Sequence, residues 1–177
     1  MYPLLATLGL MAATAAEPPV FGAPARLFAL PAINEDVAVE VLGRSRVALS
    51  DFTGTSPDRP SSAVVLFFFE KARGGPQLAD LHKLQKQWSG RGVQVLGISA
   101  DRGDLGALST WLEGQRLAFP VLRDNHGVVL QRYGFTPADL PLVLVVGGDG
   151  ALMAAGRPEA EAFSAELDQQ LAGLVGR

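Results

Sequence analysis

Five consecutive residues, Arg73-Gly74-Gly75-Pro76-Gln77, with Lys71 just ahead of them, are the stretch of this sequence best suited to meet a ligand. They fall between an apolar run and a helical pattern, so they mark a helix start. Such a start presents unpaired amides and partial positive charge. Two glycines let a ligand approach the backbone closely, and two cations stand beside them. This combination suits a small anion or a carboxylate, and a plain loop with solvated side chains is the competing reading. The other reactive residues are scattered. Asp124-Asn125-His126 offers a metal pair, and His82 lies near Asp80, but two histidines without ligand-spaced partners define no metal site. Ser99 and Asp101 have no histidine tied to them, and no Gly-x-Ser-x-Gly elbow is present. Phosphate-cradling loops of either common pattern are missing too. Glu159 and Glu161 read as a solvated face and as dipole partners of a C-terminal helix.

Cysteine is absent from all 177 residues. That excludes a disulfide, a thiolate-bound zinc, an iron–sulfur cluster and a thiol nucleophile. Hydrophobic residues make up 48% and charged ones 19%, a globular composition. The net charge of -3 argues against nucleic acid and against a basic membrane-surface helix.

Residues 1–16 carry no charge. The apolar run from Leu4 to about Ala13, then Thr14-Ala15-Ala16, reads as a secretory signal, although no Lys or Arg precedes it. A spanning helix needs about 20 apolar residues, so no membrane span is expected once the signal is removed. Residues 17–24 read as a linker, 25–177 as one domain, and the location as periplasmic or secreted, with a cytoplasmic one as the alternative.

The elements that must position the glycine stretch follow from pattern. Residues 35–42 alternate and predict a half-buried strand, with 46–49 as its partner. Residues 63–69, AVVLFFF, predict a central strand covered on both faces. Pro76 opens a helix with Leu78, Leu81, Leu84 and Trp88 inward. Residues 93–100 predict a strand, and Asp104 the cap of a helix with Leu105, Leu108, Trp111 and Leu112 inward. A short helix from His126 ends near Gly134. Residues 142–146 and 151–155 predict a hairpin about Gly147 to Gly150, and Pro158 opens a last helix with Phe163, Leu167, Leu171 and Leu174 inward. This is an α/β layer fold around a mixed sheet.

Order and local motifs together resemble the thioredoxin-like superfamily. The similar branch is the redoxin type: alkyl-hydroperoxide-reductase/thiol-antioxidant proteins and exported thiol–disulfide redoxins. Residues 23–30, APARLFAL, resemble its opening Ala-Pro with Phe-x-Leu, and VALSDF at 47–52 its second signature. The strands at 63–69 and 93–101, the insert with Phe119-Pro120-Val121 and Tyr133-Gly134-Phe135, the Leu140-Pro141 segment and Gly148-Asp149-Gly150 follow in the family's order. The resemblance implies a mixed sheet flanked by helices, with N-terminal strands and a helical insert, and a cis peptide bond before Pro141.

At the active site the resemblance stops. Gly74 stands at the family's first cysteine and Gln77 at the second, and the peroxidase motif is missing. His82 stands where many thioredoxins have proline. The expected protein is therefore a cysteine-free pseudoenzyme that needs no cofactor and works by binding through Lys71, Arg73, Gly74, Gly75, Gln77, Leu140 and Pro141. Its partner would be a protein, an extended peptide or a small anion. A redoxin-family oxidoreductase acting through a partner's thiols is the alternative.

Overall fold

The computed structural model describes residues 19–55, 57–158 and 163–175. The leader, and Glu159 and Glu161, lie outside the described residues. In chain order the elements are β1 (Ala29–Pro31), α1 (Glu35–Leu42), β2 (Arg46–Ala48), β3 (Ala63–Phe69), α2 (Leu78–Trp88), β4 (Val93–Ser99), α3 (Leu105–Gln115), β5 (Val121–Arg123), α4 (Val128–Arg132), β6 (Leu142–Gly147), β7 (Leu152–Gly156) and α5 (Phe163–Val175).

Five strands form one sheet in the order β5-β4-β3-β6-β7. Strands β3, β4 and β5 run parallel, which requires the crossover helices α2 and α3, and β6 and β7 add as an antiparallel hairpin. All seven residues of β3 are buried, because helices or loops cover both faces. Alternation along β3 divides the core. Val64, Leu66 and Phe68 join Phe28, Phe52, Leu130 and Tyr133 on one face. Val65, Phe67 and Phe69 join Leu78, Leu81, Trp88, Leu108 and Leu112 on the other. Each buried Phe or Leu contributes about 1.5–3 kcal/mol. On that second face α5 seats Leu167 and Leu171, while the Trp88 indole donates to Asp168 at 2.9 Å.

Three expectations need correction. Residues 35–42 form α1, not a strand. Their alternation hides a helical face, with Ala38, Val41 and Leu42 on the core while Val39 faces solvent. Glu35 and Asp36 favour the helix start, and Gly43 ends it in a left-handed conformation. Consequently β2 pairs with β1, antiparallel, instead of with 35–42. Leu105, expected inward, is 43% exposed: it is the first residue of α3, and the buried face of that helix is made by Leu108 and Leu112.

Among the described residues, no helix is long and apolar enough to cross a membrane.

Candidate functional site

The site lies where β3 ends and α2 begins. Phe67 and Phe69 point to the same side of β3, and their rings stack at 5.1 Å. Past them the chain makes a tight turn, with Glu70 N–H donating to the Arg73 carbonyl and Arg73 N–H to the Glu70 carbonyl. Asp101, just beyond β4, accepts the Lys71 amide and the Ser99 hydroxyl, each at 2.8 Å. The loop is thus tied to both parallel strands.

Gly74 follows with φ +103°. A Cβ there would stand 2.8 Å from Phe69 Cβ, 3.0 Å from Phe67 Cζ and 3.0 Å from Pro141 Cβ. Only glycine fits: the backbone needs a positive φ, and the space above it is filled by two rings and a proline. Gly75 meets a different neighbour, for a Cβ on it would touch the Trp111 ring at 3.2 Å. A one-turn 3-10 helix over Gly75–Gln77 then leads into α2, with Pro76 in its first turn as expected. No side chain caps α2.

The two cations are both engaged. Arg73 forms an ion pair with Glu70 at 2.6 Å. The Lys71 ammonium sits 5.3 Å from the centre of the Trp111 ring, a cation–π geometry. Gln77 is half-buried, and its Oε1 is buried with no hydrogen-bond partner.

The Leu140–Pro141 peptide bond is cis, as the resemblance implied. A short turn delivers it. Asp139 accepts the Thr136 amide at 2.8 Å and its hydroxyl at 2.9 Å, and these bonds hold its carboxyl below the usual range. Pro141 then packs on Gly74.

Of the seven residues expected to form a binding face, Gly74, Gly75, Leu140 and Pro141 are buried. Leu140 turns its side chain into the core on the opposite side of the sheet. Lys71 and Arg73 are exposed. The sequence reading placed Trp111 in the core, and the ring does pack against the second core cluster, but that reading missed its place here. Trp111 is half-buried and lies between Gly75 and Lys71. Its helical spacing with Leu108 and Leu112 concealed that role, and the only signal was a glycine that leaves room for a large ring.

The remaining candidates have structural partners. Both Asp124 carboxylate oxygens accept α4 amides, from Val128, Val129 and Leu130. His82 Nδ1 accepts the Ala118 amide at 3.0 Å, and burial together with Lys86 lowers its pKa. Among the described residues no three of His, Asp and Glu come together as a metal site.

Fold and site together define a thioredoxin-like domain whose nucleophile position is occupied by glycine and closed by packing. The profile of the AhpC/TSA family matches residues 22–155, and the chain belongs to that family. No curated protein matches the chain. Solved structures share the fold. A candidate thiol:disulfide interchange protein DsbE from Chlorobium tepidum is 21% identical over 89% of this chain and 99% of its own, with a TM-score of 0.71. A thiol:disulfide interchange protein of the thioredoxin family from Chlorobium tepidum TLS is 17% identical over 90% and 98%, with a TM-score of 0.63. A secreted Mycobacterium tuberculosis disulfide oxidoreductase, homologous to E. coli DsbE, is 19% identical over 82% and 95%, with a TM-score of 0.60.

Proposed function

We propose that this protein is a non-redox binding member of its family, exported, and that the former active-site face receives an extended segment of a protein partner. The observation that carries this reading is Gly74: its position has neither a sulfur nor room for a side chain. The chain supplies no thiol, so any disulfide exchange in its company passes between thiols of other molecules.

A polypeptide suits the face better than a small anion. Arg73 is already paired with Glu70, and the Lys71 ammonium rests on the face of Trp111. What the face presents is the Lys71 ammonium over the half-buried Trp111 ring. Peptides supply apolar side chains for such a ring and backbone carbonyls for the ammonium. The uncharged leader and the secreted relative of similar fold support export.

The test is capture of a partner from the cell envelope by the full chain, with the Lys71→Glu, Trp111→Ala pair and the Arg73→Glu, Pro141→Ala pair as controls. A protein retained by the wild type and lost by either pair supports the reading. A partner held equally by all three chains overturns this face. Insulin reduction in proportion to the protein's concentration overturns the non-redox assignment. Millimolar phosphate or sulfate is expected to leave the melting temperature unchanged, and a clear rise would favour the anion.

A further inference from the structure

Residues 19–28 form a strap that seats Ala25 and Phe28 in the core on the face of the sheet opposite α2. Two backbone bonds join it to β7: Gly22 N–H donates to the Leu152 carbonyl at 2.8 Å, and Leu152 N–H to the Ala23 carbonyl at 2.9 Å. Just past α4, the Tyr133 hydroxyl donates to the Arg26 carbonyl at 2.9 Å. Between these two attachments the strap, β7 and the end of α4 enclose a cleft of about 230 Å³. Its charge is lopsided. Arg26 and Arg132 line it, and no Asp or Glu does. Neither arginine has a carboxylate partner among the described residues, and Arg132 makes only a long bond, 3.4 Å, to the Leu27 carbonyl. Burial pushes the Tyr133 hydroxyl above its ordinary pKa, and the nearby Arg26 charge acts against that rise. The Arg26 guanidinium therefore stands close to the Tyr133 wall of the cleft.

In a chain of net charge -3, a cleft with two arginines and no carboxylate is a local excess of positive charge. A guanidinium offers N–H donors in a planar fork that matches a carboxylate. The rest of the wall sets the other half of the ligand. Val20, Pro24 and Leu152 are apolar. A bare hydrated ion would leave them in water, whereas an anion with an apolar body covers them. Volume sets its size. A cavity of about 150 Å³ takes a benzene ring, so this cleft has room for a ring and a carboxylate arm.

We propose that the cleft between the strap and α4 is a binding site for a small carboxylate with an apolar body, of arylacetate size. Arg26 and Arg132 take the carboxylate, and Val20, Pro24 and Leu152 take the hydrocarbon. The site is independent of the peptide-binding reading, since the strap and α2 pack on opposite faces of the sheet.

The test is calorimetric titration of the full chain with phenylacetate, with phenylacetamide and acetate as comparison ligands. Phenylacetate should bind, and added salt should weaken it. Phenylacetamide lacks the charge and acetate lacks the ring, so each should bind at least about tenfold more weakly. Arg26→Gln and Arg132→Gln should each weaken phenylacetate binding about tenfold. Val20→Asp sets a carboxylate in the wall within reach of the arginines and should abolish it. All three positions are exposed, and melting curves like the wild type's would show that the fold is kept. No binding of phenylacetate at millimolar concentration overturns the proposal. So does an unchanged affinity in either glutamine variant, or equal affinity for phenylacetate and either comparison ligand. Loss of binding in the Lys71→Glu, Trp111→Ala pair, with the glutamine variants unaffected, would move the ligand to the other face and overturn it as well.

Discussion

Two strand-to-helix junctions of this sheet are built in opposite ways. Where β5 leads to α4, a buried aspartate turns back and fills the helix start: Asp124 accepts three successive amides. Where β3 leads to α2, no side chain caps the helix start, and Gly74 is pressed against Phe67, Phe69 and Pro141. The α3 start sides with the first kind, since Asp104 accepts the Ala107 amide at 2.7 Å. The α3 and α4 starts are thus plugged by a carboxylate, whereas α1, like α2, has no side-chain cap. The α2 start has glycine ahead of it and no capping side chain.

The sharpest way to break this comparison is to put a side chain where Gly74 is pressed against its neighbours. Gly74→Ala should destabilise the protein by about 3 kcal/mol or more, from the positive φ and the clash together. Gly75→Ala, which meets only one edge of Trp111, should cost far less. Urea unfolding of the two variants decides it, and equal losses would mean that Gly74 is not specially confined. For the same reason Gly74→Cys with Gln77→Cys should pay the Gly74 penalty and give no insulin reduction.

At the plugged junction, Asp124→Ala leaves three amides without their acceptor and should cost about 2 kcal/mol. Asp104→Ala, at a solvent-exposed start, should cost about 1 kcal/mol. Gln77→Ala should cost almost nothing, since Gln77 caps no amide. A loss at Gln77 comparable to that at Asp104 would show that the α2 start depends on a side chain after all.

How far the sequence disclosed this depends on the range over which each signal acts. AVVLFFF announced a strand buried on both faces because continuous apolarity has few other uses at that length. Asp104 announced its helix because capping is decided within three residues. Residues 35–42 misled, since valines at alternate positions also satisfy a helix, and the deciding contacts of Ala38 and Leu42 come from elsewhere in the chain. The site was legible as a location and not as an arrangement. Glycine at the first cysteine position was plain to read. That Phe67 and Phe69 leave it no room, that Glu70 pairs with Arg73, and that Trp111 lies under Lys71 all arise from folding.

His82 gives the smallest effect and the finest test, because it stands one turn into the uncapped helix and ties α2 to the loop before β5. Its Nδ1 accepts an amide proton, so only the neutral ring makes that bond. Burial, with Lys86 adding to it, lowers the folded-state pKa below the ordinary 6.5. The stabilising contribution is therefore complete above the unfolded value and is lost as pH falls through the lower folded one. Melting temperature should drop slightly more between about pH 7 and 5 in the wild type than in His82→Ala, whose profile lacks this component. A His82→Ala profile as steep as the wild type's would mean that the imidazole does not hold the Ala118 amide, and that α2 depends on its apolar face alone.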